Sequence, residues 1–405
     1  MRTCKLAALA AVPFLIVTGC ASEGSSAAAS SAAAAASAAP VPTPTPDPVR
    51  VLMDGLTLEE KVGQLFIVRP ESLFEPTSSQ ALNVDDEHGM TAVTDDVPGQ
   101  LEKYPVGGVC LFSKNIIDPD QLNAFMASWK AQKGIPLFLA VDEEGGTVAR
   151  IGNNPNFDVP HILSMQKVGA SNDWNDGYAV GSEIGTYLKQ YGFNVDFAPD
   201  ADVNTNPDNP VIGNRAFSSD PGVAANMVNA AVTGFHDAGM MTCLKHFPGH
   251  GDTSTDTHSG YAATARTWAE MEQCEMLPFE SGIQAGTDFI MAAHITSPNA
   301  SDDGMPASMS RVMLTDRLRG ELGYQGIIIT DAMDMAAISN YYSSAEAAVT
   351  AISAGADIIL IPHDLADAYQ GILDAVRNGT LTEERIDESV YRILSAKMKY
   401  GVIAK

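Results

Sequence analysis

The sequence predicts an α/β fold, a (β/α)₈ barrel of the TIM type forming a single domain, and three observations carry that prediction. Eight short apolar runs recur in order after the first fifty residues, amphipathic segments of helical period lie between several of them, and no Gly-x-Gly-x-x-Gly follows any run to support a dinucleotide-binding sheet. Strand then helix, repeated, argues a parallel sheet, because a parallel neighbour is reached only by a crossover long enough to hold a helix. With 405 residues, 45% of them hydrophobic, the chain could bury one barrel or two smaller domains. The count of eight favours the closed ring.

The elements follow in chain order. Arg2 and Lys5 precede the apolar run Leu6 to Val17, which ends in Val17-Thr18-Gly19-Cys20, so residues 1–19 are expected to be a signal peptide and not a span. The small residues before Cys20 resemble the bacterial lipobox, which implies lipid on the Cys20 thiol, a membrane anchor and an extracytoplasmic location. Residues 20–50 are rich in Ala, Ser and Pro, with Pro40, Pro42, Pro44, Pro46 and Pro48 alternating, and read as a linker that can form no apolar face. The barrel domain is expected over 51–405. Its strand candidates are Gln64–Val68, Gly108–Phe112, Leu137–Val141, Asn194–Ala198, Met241–Lys245, Phe289–Ala293, Ile327–Thr330 and Asp357–Ile361. Helical spacing marks Pro119–Gln132, Val223–His236, Met305–Leu322 with a cap at Ser308 or Ser310, Ala345–Ala354, and a closing helix from Glu383 to Lys399. The polar stretch Glu75–Gln100 reads as an inserted loop with no core of its own.

Composition narrows the partners. A formal charge of −26 opposes nucleic acid and flat binding to anionic lipid, since both are polyanions. Once Cys4 leaves with the signal and Cys20 carries lipid, Cys110, Cys243 and Cys274 remain, an odd number that argues against a disulfide framework; Cys110 and Cys243 sit in apolar runs and read as buried thiols. A monomer is expected.

In such a barrel the functional face carries the C-terminal ends of the strands. That is where the unusual residues fall: Asp142, Asp202, Lys245 and His246, His294, Asp331 and His363 each end or follow a run. Asp331, delivered by the apolar Ile327-Ile328-Ile329-Thr330, is well placed as a nucleophile, whereas Asp334 reads as first-turn helix dipole partner. The densest stretch is Lys245-His246-Phe247-Pro248-Gly249-His250-Gly251-Asp252-Thr253, closing on Asp256-Thr257-His258. Asp256 and His258, one residue apart, suit a carboxylate that orients an imidazole, and an imidazole with pKa about 6.5 can give and take a proton near neutrality. A loop held by local Asx-type bonds would show the same spacing. His246, His250 and His258 with Asp252 and Asp256 could also be read as metal ligands, but Pro248 and Gly249 break the helix that would align His246 with His250, so no metal and no organic cofactor are expected.

The 245–258 stretch, together with Thr330-Asp331-Ala332-Met333-Asp334-Met335, resembles glycoside hydrolase family 3, and within it the single-domain β-N-acetylglucosaminidase (β-hexosaminidase) branch. Further matches are Leu58-Glu59-Glu60-Lys61-Val62-Gly63-Gln64-Leu65, Val141-Asp142-Glu143-Glu144-Gly145-Gly146, Phe197-Ala198-Pro199 with Asp202-Val203-Asn204, and Gly213-Asn214-Arg215-Ala216-Phe217-Ser218-Ser219-Asp220-Pro221. The resemblance implies a retaining mechanism with Asp331 as nucleophile and His258, oriented by Asp256, as acid/base. It implies that Asp142, Arg150, Arg215, Lys245 and His246 hold the sugar. The substrate it implies is a glycan with terminal non-reducing N-acetylglucosamine, of cell-wall or chitin type.

An imidazole in place of the acid carboxylate removes a negative charge beside the glycosyl ester, so phosphorolysis is an alternative, as is β-glucosidase chemistry on the same fold. The non-enzyme alternative is a glycan-binding surface lipoprotein. Two departures stand out. Where the family usually has Asp-Gln-Glu-Gly-Gly followed by Arg-Val, this chain has Glu143 and Thr147, and Asp200 occupies a position where small or apolar residues are common.

Overall fold

The computed structural model describes residues 46–74, 89–254 and 262–404. All eight expected runs contain a strand: β1 (Phe66–Val68), β2 (Gly108–Leu111), β3 (Phe138–Val141), β4 (Val195–Asp196), β5 (Met241–Phe247), β6 (Phe289–Ala292), β7 (Ile327–Thr330) and β8 (Ile359–Leu360). Ring neighbours are sequence neighbours from β1 to β7, every pairing is parallel, and β1 also pairs with β8 through Phe66↔Ile359 and Ile67↔Leu360. The last gap, between β7 and β8, is bridged at Ile329–Ile358, where Thr330 N–H donates to Ile358 O at 3.0 Å and Asp357 N–H to Ile328 O at 2.7 Å. These strands are buried along their whole length, which is why they read as continuous apolar runs and not as alternating ones.

The helices lie where the period placed them: Pro119–Lys130, Pro221–Asp237, Ser344–Ala354 and Glu383–Lys399. The closing helix buries Ile386, Val390, Ile393 and Leu394, has Thr382 as its side-chain cap, and carries Glu383 and Glu384 in its first turn with Lys397 and Lys399 in its last, matching its dipole at both ends. The Met305–Leu322 expectation resolves into a short 3₁₀ turn at Ala307–Met309 and a π-wound helix at Val312–Glu321; of the two cap candidates it is Ser310 whose hydroxyl accepts, from Met313 N–H at 3.1 Å. Of the polar stretch, residues 75–88 lie outside the described residues, and its tail is not loop but the start of a helix, Val97–Lys103, with Val97 fully buried.

The base of the barrel is sealed by the ends of the chain. Phe138 and Phe289, opening β3 and β6, meet edge to face at 5.3 Å. Lys397 lies over the Phe138 ring at 4.8 Å and donates to Gln64 Oε1 at 2.8 Å and to Gly107 O at 2.9 Å. Burial pulls this ammonium down to about 7. Around it, Lys61 pairs with Asp387 at 2.7 Å and Glu383 at 3.2 Å, and Tyr391 donates to Asp47 at 2.9 Å, so the first helices are fastened to the last.

Candidate active site

A cavity of about 560 Å³ opens at the C-terminal ends of the strands, within the size range of small-molecule sites. Asp142, Arg150, Arg215, Lys245, His246 and Asp331, six of the residues singled out from sequence, all line it. So do Glu144, His250, His363, and the pair Arg69 and Asp334.

β5 supplies the centre. Leu244 pairs with Ile290 and Phe247 with Ala292, so three steps on β5 oppose two on β6, and the extra residue is a bulge. That irregularity lets the consecutive side chains of Lys245 and His246 both reach the cavity, which a regular strand would send to opposite faces. The strand thus runs two residues past its expected end. Beyond it, Gly251 packs so tightly on the 203–204 backbone that a Cβ there would lie 1.9 Å from Val203 O, which only glycine tolerates.

Lys245 Nζ bridges Asp142 Oδ1 at 2.6 Å and Glu144 Oε1 at 2.7 Å. Arg215 grips Glu144 bidentately, Nε to Oε2 at 2.9 Å and Nη2 to Oε1 at 2.7 Å. Burial alone would raise Glu144, but Arg215 and Lys245 overcome it and hold the carboxylate far below its ordinary range. Burial likewise opposes the Lys245 charge, and Asp142 with Glu144 holds it above the usual lysine value. Both groups are therefore locked as ions across the accessible pH range.

His246 Nδ1 lies 2.8 Å from Asp202 Oδ2, while its Nε2 faces Arg215 Nη2 at 3.3 Å. Guanidinium can only donate, so Nε2 accepts and the proton sits on Nδ1, directed at Asp202. Asp202 also accepts from His250 N–H, and His250 Nδ1 contacts Thr253 Oγ1 at 2.7 Å; burial and His246 keep the His250 ring's pKa down. Asp202 does not line the cavity and acts by fixing His246 and the loop behind it.

The added acid Glu143 does not line the cavity. Glu143 is fully buried under the Glu143–Gly145/Val148–Ala149 hairpin, where its carboxylate accepts from the backbone N–H groups of Arg150, Ile151 (2.9 Å) and Gly152 (2.7 Å) and from Tyr187 OH (2.7 Å). It positions the turn bearing Arg150, whose Nη2 stands 3.8 Å from Asp142. Asp200 is also buried, 3.8 Å from Arg215 Nη2, with burial and then Asp202 pushing its carboxyl well up.

Asp331 follows β7; its backbone N–H donates to Ala292 O at 2.8 Å and its Oδ1 accepts from Ala332 N–H at 2.8 Å. Asp334 is not in the first turn of the following helix, which begins at Ala336. The chain from 333 to 334 instead follows β8, with Met333 N–H on Leu360 O and Asp334 N–H on Ile361 O, and this brings Asp334 into a buried pair with Arg69 at 2.8 Å. His294, grouped with the rim residues by sequence, is buried between Ser308 Oγ (2.8 Å) and Ala332 O (2.9 Å) and lines no part of the cavity.

Asp256 and His258 lie outside the described residues, as does Cys20. The chain leaves the described part at Ser254, just after Thr253 accepts Asn209 at 3.0 Å, and returns at Ala262, which pairs with Ile295 beyond β6, so both flanks belong to the cavity end of the barrel. Asp252 is tied to Arg266 at 3.4 Å and Thr264 at 3.0 Å, away from His246. Among the described residues, the group whose ligand atoms come close enough for a metal is Asp200, Asp202 and His246, within 4.8 Å.

Glu275 supports the loop from below: a Cβ on Gly249 would meet its Cγ at 2.5 Å. Burial pushes its carboxyl up to about 7, with Arg266 at 3.2 Å opposing. Its folded pKa lies above the ordinary 4.5, so its contribution to stability is complete below 4.5 and is lost as pH rises through about 7. Glu275→Gln is expected to flatten that slope, measured as melting temperature against pH; an unaltered slope would show that another group causes it.

Residues 57–396 match the model of the glycosyl hydrolase family 3 N-terminal domain. A β-hexosaminidase A from Pseudoalteromonas piscicida is 35% identical over 85% of this chain and 61% of its own length. A β-hexosaminidase from Nitrosomonas eutropha is 34% identical over 74% of this chain and 88% of its own. Among solved structures, a glycoside hydrolase family 3 β-N-acetylglucosaminidase from Paenibacillus aligns with a TM-score of 0.78 at 35% identity, covering 87% of this chain and 64% of that one. The chain thus spans a little over three-fifths of the length of two of these relatives.

Proposed function

Because the chain belongs to glycosyl hydrolase family 3, we propose that it is a retaining exo-β-N-acetylglucosaminidase acting on terminal non-reducing N-acetylglucosamine of cell-wall or chitin-type glycans. One observation carries the reading: Asp331, the β5 residues Lys245 and His246, and His250 of the loop that follows β5 open onto one cavity. Retaining hydrolysis needs a nucleophile on one face of the anomeric carbon and a proton donor at the leaving oxygen. Asp331 takes the first role. Its carboxylate attacks C1 as the C1–O bond breaks, giving a glycosyl ester, and His258, held by Asp256, gives its proton to the departing oxygen. The imidazole then accepts a proton from water, which displaces Asp331 at C1 and regenerates both groups.

The remaining residues bind and orient. Lys245, Arg215 and Arg150 present donors around Asp142 and Glu144, a frame of alternating charge suited to hydroxyl groups that both give and accept hydrogen bonds. No step requires a metal or organic cofactor. The relatives' names include β-hexosaminidase and β-N-acetylglucosaminidase, which supports this substrate class. We further propose that the enzyme lies outside the cytoplasmic membrane as a monomer, anchored by lipid on Cys20 through the Ala-, Ser- and Pro-rich linker, whose expected end at residue 50 moves back to about 45 because Asp47 and the helix Pro48–Asp54 already belong to the folded domain; mass analysis of the mature N-terminus should find acylated Cys20, and an unmodified one would refute the anchor.

The full chain should release the aryl alcohol from an aryl N-acetyl-β-glucosaminide at a rate independent of phosphate and of chelator. Acceleration by phosphate with formation of the sugar 1-phosphate would replace hydrolysis by phosphorolysis. Preference for the aryl β-glucoside would remove the N-acetyl specificity.

A further inference from the structure

Trp174 begins the helix Trp174–Tyr191 with its side chain 37% exposed, whereas the other two tryptophans, Trp129 and Trp268, are buried. One helical turn on, Tyr178 stacks against it, with ring centroids 5.3 Å apart and planes inclined by 21°. Both rings are pinned at their edges from the neighbouring helix Pro221–Asp237: Trp174 Nε1–H donates to Asn229 Oδ1 at 3.4 Å and Tyr178 OH to Asp237 Oδ2 at 3.0 Å. The helices can approach this closely because Gly234 faces Tyr178 O, which would lie 2.2 Å from a Cβ there. Three more carboxamides lie nearby in the two helices and their lead-in: Asn172 and Asn175, exposed and within three residues of Trp174 in the chain, and half-buried Asn226, which lies one turn before Asn229 and donates to Asn172 Oδ1 at 3.5 Å. None of these residues lines the cavity.

We propose that this stacked pair is a second, non-catalytic glycan-binding site, taking a chain of β-linked N-acetylglucosamine residues on the outside of the barrel. A pyranose whose substituents are all equatorial presents a flat face of C–H groups, which an aromatic face receives, while hydroxyl and acetamido groups at the sugar's edge meet carboxamides that both donate and accept. Rings already fixed at their edges lose little rotamer freedom when a sugar stacks on them, so the contact is preorganised. A neutral polymer also suits a protein of charge −26, which repels polyanions. The choice of N-acetylglucosamine over other flat sugars rests on the proposed activity. Held on this platform, a polymer stays near the cavity and its free ends reach an effective concentration that solution encounter does not supply.

The test uses the full chain, with insoluble chitin and chitohexaose as probes. Trp174→Ala/Tyr178→Ala should bind chitin about tenfold more weakly or worse, while turnover of the soluble aryl N-acetyl-β-glucosaminide stays at the wild-type rate. Saturating monomeric N-acetylglucosamine, which occupies the cavity, should not release wild-type protein from chitin. In an Asp331→Asn background that leaves chitohexaose intact, calorimetry should count one binding site fewer after the double substitution. Should the double variant melt early, Trp174→Phe, which retains a ring, and Trp174→Gln, which does not, must separate in chitin binding.

Undiminished chitin binding by the double variant overturns the proposal and leaves the stack as helix-to-helix glue. Equal retention on cellulose overturns the acetamido class. Platform-dependent chitin binding in a protein that leaves the aryl glycoside intact would sink the proposed activity and keep the platform.

Discussion

Replacing Asp331 by alanine is expected to abolish release of the aryl alcohol, with kcat lower by about 10⁴-fold or more, because no other carboxylate among the described residues that line the cavity is placed to take over the attack. The other carboxylates that line it are all engaged with cations. Asp142 and Glu144 are held by Lys245, and Glu144 also by Arg215, while Asp334 is paired with Arg69 at 2.8 Å. An ion-paired carboxylate is a poorer nucleophile and is directed at its partner instead of at C1. Added azide, small enough to enter the space the side chain leaves, should restore turnover and yield the α-glycosyl azide, since attack then comes from the nucleophile's side. Asp334→Asn gives the contrast: it should lower the melting temperature by leaving Arg69 without its counter-charge, yet still permit the glycosyl-enzyme to form. Wild-type turnover in Asp331→Ala would refute the nucleophile assignment.

Lys245→Met is expected to show the largest loss of stability of any single change at the site. Its ammonium is 2% exposed as a residue and joins two carboxylates at 2.6 and 2.7 Å. Methionine fills much of the same volume and removes the charge, leaving Glu144 with Arg215 and Asp142 with Arg150, 3.8 Å away, as their remaining compensation. Breaking a buried ionic group by deleting one partner costs about 3–5 kcal/mol. Calorimetric melting should register that loss, and KM for the aryl glycoside should rise because Asp142 would no longer be fixed. Lys245→Arg should not rescue, as the planar guanidinium cannot sit where a compact ammonium bridges two oxygens. A melting curve unchanged in Lys245→Met would mean that the bridge contributes nothing to the fold.

The strands were legible because a parallel strand buried on both faces leaves an uninterrupted apolar run, and the rim residues because they follow those runs directly. Ile327-Ile328-Ile329-Thr330 then Asp331 is the plainest case. Pairing through space was not legible. Arg69 and Asp334 are far apart in the chain and meet only because the turn after β7 follows β8; nothing local to either residue announces it. Glu143 stood out as an added acid, but sequence cannot say that its carboxylate turns under the hairpin to hold four donors. His294 showed the converse: its position after β6 looked like that of Asp331, but Ser308 and Ala332 claim both ring nitrogens. The bulge at Lys245-His246 could be suspected from two polar residues ending an apolar strand, though only the pairing with β6 displays the extra residue.

The way the first and last segments clasp one another sets a condition on synthesis. β1 needs β8, Lys61 needs Asp387, and Gln64 needs Lys397, partners more than three hundred positions downstream for the two side-chain pairs. While the segment 383–399 is missing, the sheet has two open edges with unsatisfied amides and an uncovered greasy floor, a state prone to pairing with other chains. The unfolded chain should therefore depend on chaperone shelter until that helix is in reach, and cooperative folding should begin only then.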